Sequence, residues 1–113
     1  MDCLFCTIIK GDIPSKKVYE DESCYAFVDI NPQAPVHCLV VPKEHIASAL
    51  ELNSDNAALV SHIFLKAGDL ARELGFSDDG FRIVNNCGSD GGQTVGHLHF
   101  HVLAGRNLAW PPG

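Results

Sequence analysis

The segment from His97 to Leu103, in which histidines alternate with apolar residues, constrains the fold more than any other stretch of the chain. A two-residue period is that of a β-strand, whose successive side chains point to opposite faces of the sheet. One face then carries His97, His99 and His101, and the other carries Leu98, Phe100 and Val102. Because the apolar face must pack against a core, the direction of the imidazoles is set as well. We therefore predict a strand that displays a row of histidines.

Two kinds of site can be built on such a row. His-x-His spacing is common among metal ligands, so a three-histidine metal centre is one interpretation. The alternative follows from the glycine-rich segment Gly88–Gly96, which leads directly into the strand. Glycines let backbone N–H groups approach an anion closely, and Gln93 and Thr94 add side-chain hydrogen-bond donors. An anion cradle beside a row of imidazoles indicates chemistry at phosphorus.

The pattern His-x-His-x-His followed by two apolar residues resembles the signature of the histidine triad (HIT) superfamily. The Gly-Gly-Gln-Thr run, the segment Asp29–Pro35 and the terminal Trp110–Gly113 resemble one branch of it, the histidine triad nucleotide-binding (HINT) proteins. The resemblance extends from about Phe5 to the last residue, and the separate motifs agree in order and spacing. It implies a HIT-like fold and a homodimer, with the exposed Trp110 near the partner subunit.

Length, charge and cysteine content narrow the class of protein. At 113 residues, the chain is predicted to form one domain, residues 1–113. A formal charge of −6 argues against nucleic-acid binding, which relies on clustered Lys and Arg. The absence of a long apolar run or a signal-type N-terminus leads us to expect no membrane segment. Five cysteines without the spacing of a disulfide framework favour reduced thiols in a cytoplasmic protein.

Apolar periodicity predicts an α+β fold with a five-stranded, mostly antiparallel sheet, one long helix and a short N-terminal helix. The short helix is predicted over Cys3–Lys10. The long helix is predicted over about Asp55–Leu74, with Ser54 as its N-cap and Gly75 as its C-terminal stop. Strands are predicted at Val18–Glu20, Tyr25–Asp29, His37–Val41, Phe81–Asn85 and His97–Leu103.

The resemblance implies that the middle histidine, His99, is the nucleophile. His99 would attack the α-phosphorus of a nucleotide derivative and form a transient nucleotidyl-histidine, which water then hydrolyses. Neutral imidazole can act in this way near pH 7 because its ordinary pKa is about 6.5. His101 would donate hydrogen bonds to the phosphoryl oxygens and help to move the proton. His37 matches another site histidine of the family, although structural packing is an alternative for it.

The glycine-rich segment supplies the implied phosphate contacts. By resemblance, Gly92 and Gln93 bind the phosphate, and Thr94 contacts the phosphate and the departing group. Serine is usual at position 94 in this branch, so the extra methyl of Thr94 would narrow access for the leaving group. Asn86 would contact phosphate or ribose.

A nucleoside also needs an apolar slot and a polar handle for its ribose. Asp29 follows an apolar strand, where a carboxylate can accept hydrogen bonds from both ribose hydroxyls. An ordinary turn-forming Asp before Asn-Pro is the alternative, and the resemblance favours the ribose role. Trp110 is a further predicted substrate contact. The residues that resemble the base slot are Phe5, Ile8, Phe27, Ile30 and Leu39.

The pair Cys3-x-x-Cys6 has the spacing of half a structural zinc site. His45 and His97 would complete a Cys2His2 tetrahedron, an arrangement that resembles some bacterial-type members of the superfamily. Zinc held in this way would join the N-terminal segment to the histidine row and leave His99 and His101 free. A redox role for the pair is disfavoured because no thioredoxin-like βαβ context surrounds it. We expect no organic cofactor.

Three functions remain open at this stage. The resemblance favours a purine nucleoside phosphoramidase, a hydrolase that releases AMP or GMP from an amine or acyl partner. A dinucleoside polyphosphate hydrolase is the alternative within the superfamily, and the Trp110–Gly113 terminus favours the former. A nucleotide-binding regulatory protein with incidental turnover is the alternative outside enzymology.

Overall fold

A computed structural model of the chain describes residues 3–113, which form one five-stranded antiparallel sheet and two α-helices. The order of strands across the sheet is β1-β2-β3-β5-β4. The predicted α+β class is therefore confirmed, and the predicted bounds of the first four strands agree to within one residue at each end. The strands are β1 (Lys17–Glu20), β2 (Cys24–Val28), β3 (Val36–Pro42), β4 (Arg82–Val84) and β5 (Phe100–Ala104).

The strand of the histidine row is shorter than predicted, because β5 begins at Phe100 and not at His97. The ladder with β3 ends at the pair Val40 and Phe100, and continuing it would bring Leu98 opposite Pro42. Proline has no N–H to donate to a ladder, so regular pairing stops there. The backbone N–H of Leu98 donates instead to the carbonyl of Ile46 at 2.6 Å.

The predicted alternation of faces nevertheless continues through the irregular segment. Leu98, Phe100 and Val102 are at most 5% exposed and belong to the core cluster between the sheet and the long helix. A second apolar cluster, which includes Phe5 and Leu39, covers the opposite face of the sheet beneath the short helix. His99 contacts this second cluster through the ring of Phe5. The site therefore lies on the face of the sheet opposite the long helix.

The long helix α2 spans Ala57–Leu74 with Asn56 as its N-cap, so the predicted start at Asp55 with Ser54 as cap is wrong. The side-chain oxygen of Asn53 accepts hydrogen bonds from the N–H groups of Asp55 and Asn56, which forms a turn before the helix. Gly75 ends α2 in the left-handed conformation, as predicted.

The N-terminal helix α1 spans Leu4–Lys10 and is one residue shorter than predicted, since Cys3 is its N-cap. A short 3-10 turn covers Ala49–Glu51. Within residues 3–113, neither helix combines the length and the apolar character that crossing a bilayer requires.

The carboxylate of Asp21 ties α2 to the turn between β1 and β2. Its Oδ2 accepts hydrogen bonds at 2.6 Å from the hydroxyl of Tyr19 and from Nε2 of His62 on α2. Its Oδ1 accepts from the N–H groups of Ser23 and Cys24. Burial raises the pKa of Asp21, but these hydrogen bonds outweigh burial and hold the pKa well below its ordinary value.

Candidate active site

A cavity of about 410 Å³ opens on the α1 side of the sheet, and His99 and His101 lie at one end of it. We call it the site cavity. It brings together nine of the residues predicted from sequence, drawn from α1, β2, β3, the glycine-rich segment and the histidine row. They are Phe5, Ile8, Phe27, Asp29, Ile30, Leu39, Thr94, His99 and His101. The apolar walls and the few polar groups at one end are typical of a small-molecule site.

His99 is oriented by the backbone of the histidine row itself. Its Nδ1 lies 2.7 Å from the carbonyl oxygen of His97, so Nδ1 carries the proton and donates it. In the neutral ring the lone pair is then on Nε2. The ring is only 4% exposed and packs edge-on against Phe5, with 5.1 Å between ring centroids. Asn85, the residue after β4, donates from Nδ2 to the carbonyl oxygen of His99 at 2.9 Å.

A chain of hydrogen bonds gives neutral His101 the tautomer opposite to that of His99. The backbone N–H of Gln33 donates to Nδ1 of His37 at 3.0 Å, so the proton of neutral His37 is on Nε2. This Nε2 lies 2.9 Å from Nδ1 of His101 and donates to it. The remaining proton of His101 is therefore on Nε2. The two adjacent rings of the cavity differ in kind: His99 offers a lone pair and His101 offers a proton.

Burial favours the neutral forms of His37 and His101. Burial, and then repulsion by His99 and His37, lowers the pKa of His101 to about 4. Burial also lowers the pKa of His37, while the nearby carboxylate of Asp29 opposes this shift. Near neutral pH His101 is consequently a neutral hydrogen-bond donor.

Asp29 has one carboxylate oxygen engaged in a turn and the other near the site. Its Oδ1 accepts from the N–H of Asn31 at 2.8 Å, which is the turn-forming role considered from sequence. Its Oδ2 lies 3.4 Å from Nε2 of His37. The side chain also lines the site cavity, so the turn role and a role in binding are compatible.

The side chains of the glycine-rich segment mostly bind the segment itself. Nε2 of Gln93 donates to the carbonyls of Ala47 and Val95, and Oε1 accepts from the N–H of Gly88. Both amide hydrogens are thus used within the protein, and the predicted contact of the Gln93 side chain with phosphate stays a prediction. Asn86 donates to the carbonyl of Gly91, next to Gly92, whose φ is 80°. Asn86, Gly92 and Gln93 lie outside the lining of the site cavity.

Four predicted ligands lie together beside the site cavity, at the N-terminus of α1. One ligand atom from each of Cys3, Cys6, His45 and His97 lies within 4.8 Å of the others, so these residues are able to hold a metal ion. Nε2 of His97 lies 2.8 Å from the carbonyl oxygen of Pro42. His97 therefore carries its proton on Nε2 and directs the lone pair of Nδ1 at the cluster.

The three-histidine metal centre considered from sequence has no support in the part of the chain that the structure describes. His97 belongs to the cysteine cluster and His101 to a separate group with Asp29 and His37, and His99 belongs to no such group. Trp110 also lies apart, 82% exposed and outside the lining of the site cavity. The tail before Trp110 is held by Arg82, which donates to the carbonyls of Leu108 and Ala109.

Several residues of the site were not found by sequence reasoning. Asn85 contacts the backbone of His99, and the backbone of Gln33 contacts the ring of His37. No local sequence pattern indicates either contact. The wall of the cavity also includes Leu4, Ile13, Pro14 and Val95. Ile13 and Pro14 follow the end of α1 and were not predicted as site residues.

Similarity to known proteins extends over nearly the whole chain. A sequence model of the HIT domain matches residues 10–108. An uncharacterized HIT-like protein of Synechococcus elongatus is 51% identical over 112 residues, which cover 99% of this chain and 97% of the relative.

Two solved structures are similar in sequence and in fold. The HIT family hydrolase of Legionella pneumophila is 48% identical with a TM-score of 0.97, over 99% of this chain and 100% of that one. The histidine triad nucleotide-binding protein of Candida albicans is 34% identical with a TM-score of 0.83, over 97% of this chain and 83% of that one. A matched domain that covers most of the sequence, together with these relatives, establishes that the chain belongs to the HIT domain family.

Proposed function

We propose that the protein is a purine nucleoside phosphoramidase that cleaves a P–N bond through a nucleotidyl-histidine intermediate. The substrate class is a purine nucleoside monophosphate joined to an amine, with an acyl partner as a related case. Two similar proteins, the HIT family hydrolase of Legionella pneumophila and the histidine triad nucleotide-binding protein of Candida albicans, support hydrolysis of a nucleotide derivative.

The observation that carries the proposal is the pair of opposite tautomers at the end of the site cavity. Nε2 of His99 has a lone pair for attack on phosphorus, and the Nε2–H of His101 can donate a hydrogen bond to a phosphoryl oxygen. Thr94 also lines the site cavity, where its hydroxyl would contact the departing group. A nucleophile and a hydrogen-bond donor in one cavity support cleavage of a phosphoramidate.

The reaction proceeds in two balanced steps. In the first, Nε2 of His99 forms a bond to the α-phosphorus, the P–N bond to the amine breaks, and the departing amine nitrogen takes one proton from solvent. In the second, water adds to phosphorus and gives one proton back to solvent, the bond to His99 breaks, and the nucleoside monophosphate leaves with His99 neutral again. Asp29 would hold the ribose, and the apolar wall with Phe5, Phe27 and Leu39 would hold the base.

Replacement of His99 tests the proposal. We expect His99→Ala to lower kcat for an AMP-amine substrate by about a thousandfold or more, because the covalent route is lost. Mass spectrometry of wild-type protein quenched during turnover should detect a covalent nucleotidyl adduct on His99. The matched control is His62→Gln, which changes a histidine of α2 outside the site cavity and should retain kcat.

The outcomes separate the three candidate functions. Full activity of His99→Ala would contradict the nucleophile. Turnover of dinucleoside polyphosphates in preference to AMP-amines would favour the alternative hydrolase. Tight nucleotide binding by wild-type protein without turnover of either substrate would favour the regulatory protein.

We also propose that Cys3, Cys6, His45 and His97 bind a structural zinc ion. A tetrahedral zinc site with Zn–S bonds of about 2.3 Å and Zn–N bonds of about 2.05 Å needs S···N separations of about 3.6 Å and an N···N separation of about 3.3 Å. The observed S···N distances are 3.3, 3.4 and 3.6 Å, and the two Nδ1 atoms are 3.2 Å apart. The donor set and its spacing therefore fit zinc.

The chemistry that zinc supplies there is a cross-link between α1 and the histidine row. His97 contributes its Nδ1 to this site and its backbone carbonyl to Nδ1 of His99. The ligand and the support of the nucleophile are thus parts of one residue. Zinc-binding thiols must also stay reduced, which supports the cytoplasm as the compartment.

A homodimer is the remaining part of the proposal. Large apolar side chains are exposed on α2 and beside β4, which is an edge strand of the sheet. Exposed large apolar side chains and an unpaired strand edge both favour contact with a second chain. The exposed apolar residues are Phe64, Leu65, Leu74 and Phe81.

A further inference from the structure

The guanidinium of Arg106 holds the loop that precedes β3. Its Nη2 donates to the carbonyl oxygen of Gln33 at 3.0 Å, and its Nε donates to the same oxygen at 3.3 Å. Arg106 lies two residues beyond the end of β5, so these bonds join the loop to the strand that carries His101. A charged donor to a carbonyl is stronger than a neutral one.

Packing at the neighbouring residue supports the same contact. Gly105 has a φ of 92°, and a Cβ atom added there would lie 2.7 Å from Cβ of Pro35. A side chain at position 105 would therefore force Pro35 away. The end of β5 and the loop Asn31–Pro35 thus approach more closely than any residue but glycine permits.

Gln33 is fixed at three points. Its carbonyl accepts from Arg106, its side-chain amide donates to the carbonyl of Asn31 at 3.0 Å, and its N–H donates to Nδ1 of His37. The contact with Arg106 joins Gln33 to the segment that follows β5, and the contact with His37 joins it to β3. Arg106 therefore restrains the residue whose N–H reaches His37.

We infer that Arg106 is a positioning residue for His101, acting through Gln33 and His37. The N–H of Gln33 is the donor that requires Nδ1 of His37 to be unprotonated. With that donor in place, His37 donates from Nε2 and His101 presents its own Nε2 proton to the site cavity. Without it, His37 can adopt either tautomer, and the Nε2 proton of His101 is no longer specified.

This inference gives Arg106 a role in the reaction without contact to the substrate, and for catalysis it rests on the proposed function. The guanidinium of Arg106 is outside the lining of the site cavity, so it does not bind the substrate phosphate directly. Its loss should therefore affect kcat more than KM.

The test compares Arg106→Ala with wild-type protein by long-range proton–nitrogen correlation spectra of the histidine rings. In wild type we expect His37 and His101 as Nε2–H tautomers and His99 as the Nδ1–H tautomer. In Arg106→Ala we expect His37 and His101 to become mixtures of tautomers, while His99 stays as in wild type. We also expect kcat for the AMP-amine substrate to fall about tenfold or more, as for other partners that orient a functional histidine, with KM nearly unchanged.

Two further variants keep the test sharp. Arg106→Lys retains one donor for the Gln33 carbonyl and should restore part of the Nε2–H population and of kcat. Arg72→Ala removes an exposed arginine of α2 that bonds Asp69, and it should match wild type in both readouts. Wild-type tautomers and kcat in Arg106→Ala would overturn the inference, as would a lower melting temperature with unchanged tautomers and kcat. If wild-type protein turns over no AMP-amine, the proposed function fails, and the spectra still decide whether Arg106 positions the rings.

Discussion

Each histidine of the row has a different hydrogen-bond partner, and the partner decides its chemistry. His97 donates from Nε2 to the carbonyl of Pro42 and turns Nδ1 to the cysteine cluster. His99 donates from Nδ1 and keeps a lone pair on Nε2. His101 accepts at Nδ1 from His37 and keeps a proton on Nε2. Three identical side chains in one short segment are thus suited to the three roles that we propose for them: metal ligand, nucleophile and hydrogen-bond donor.

The lowered pKa of His101 predicts a pH dependence of stability. The unfolded chain protonates this ring at about pH 6.5, whereas the folded protein does so only at about pH 4. Between these values the unfolded chain binds more protons, so the free energy of unfolding falls as the pH is lowered. His101→Gln removes this contribution, and its free energy of unfolding should fall less between about pH 7 and about pH 5.

Urea denaturation of both proteins at these two pH values is the measurement. Equal losses of stability in His101→Gln and wild type would contradict the lowered pKa. His62→Gln serves as the control, since this histidine lies on α2 and outside the lining of the site cavity.

At the scale of elements, α1 depends on what holds its ends and its apolar face. A helix of seven residues has little stability by itself. Phe5 and Ile8 form its buried apolar face and one wall of the site cavity. Cys3 and Cys6 lie at its N-terminus, in the cluster that we propose to bind zinc. Zinc would therefore fix this wall of the cavity.

Removal of the metal should release α1. If free zinc is about 100 times its Kd, binding contributes about 2.7 kcal/mol, and a chelator should lower the Tm of zinc-loaded protein by about 10 °C. Cys6→Ser should have a lower Tm from the start and little response to chelator. Cys87→Ser changes a half-buried cysteine outside the cluster and should respond like wild type. A chelator effect of equal size in Cys6→Ser and wild type would contradict the zinc site.

At the scale of the whole molecule, the two faces of the sheet have different surroundings. One face carries α1 and the site cavity, and the other packs against α2. Within residues 3–113, the outer side of α2 is left largely uncovered: Leu65 is 66% exposed and Phe64 is 49% exposed. This surface is available to a second subunit without obstructing the site cavity.

A charge placed on this surface should separate the proposed dimer. Leu65→Glu puts a carboxylate on the outer side of α2, and light scattering should give a dimer for wild type and a monomer for the variant. Leu50→Glu, in the 3-10 turn, alters a side chain that is 83% exposed and should stay dimeric. A monomeric mass for wild-type protein would contradict the dimer, and a dimeric Leu65→Glu would exclude this surface as the interface.

Much of the fold followed from short-range patterns in the sequence. Alternation from position 97 to 103 determined which residues face the core, and Gly75 determined where α2 ends. The pattern of His99 and His101 between apolar residues also predicted that the two rings share a face, because side chains two residues apart on extended backbone do so, and both line the site cavity. The start of α2 was missed because side chains of the Asn53–Asn56 turn compete with the first turn of a helix.

Only the tertiary structure decided how the site residues act. Which nitrogen of His101 carries its proton depends on His37, 64 positions earlier in the chain. The thiol pair of the N-terminus meets His45 across 39 positions. Arg106 and Gln33 have no local signal of function, since their contact exists only where the end of β5 packs against the loop before β3. Sequence periodicity determines the face on which a side chain lies, but a hydrogen bond depends on atoms that the fold brings within about 3 Å of each other.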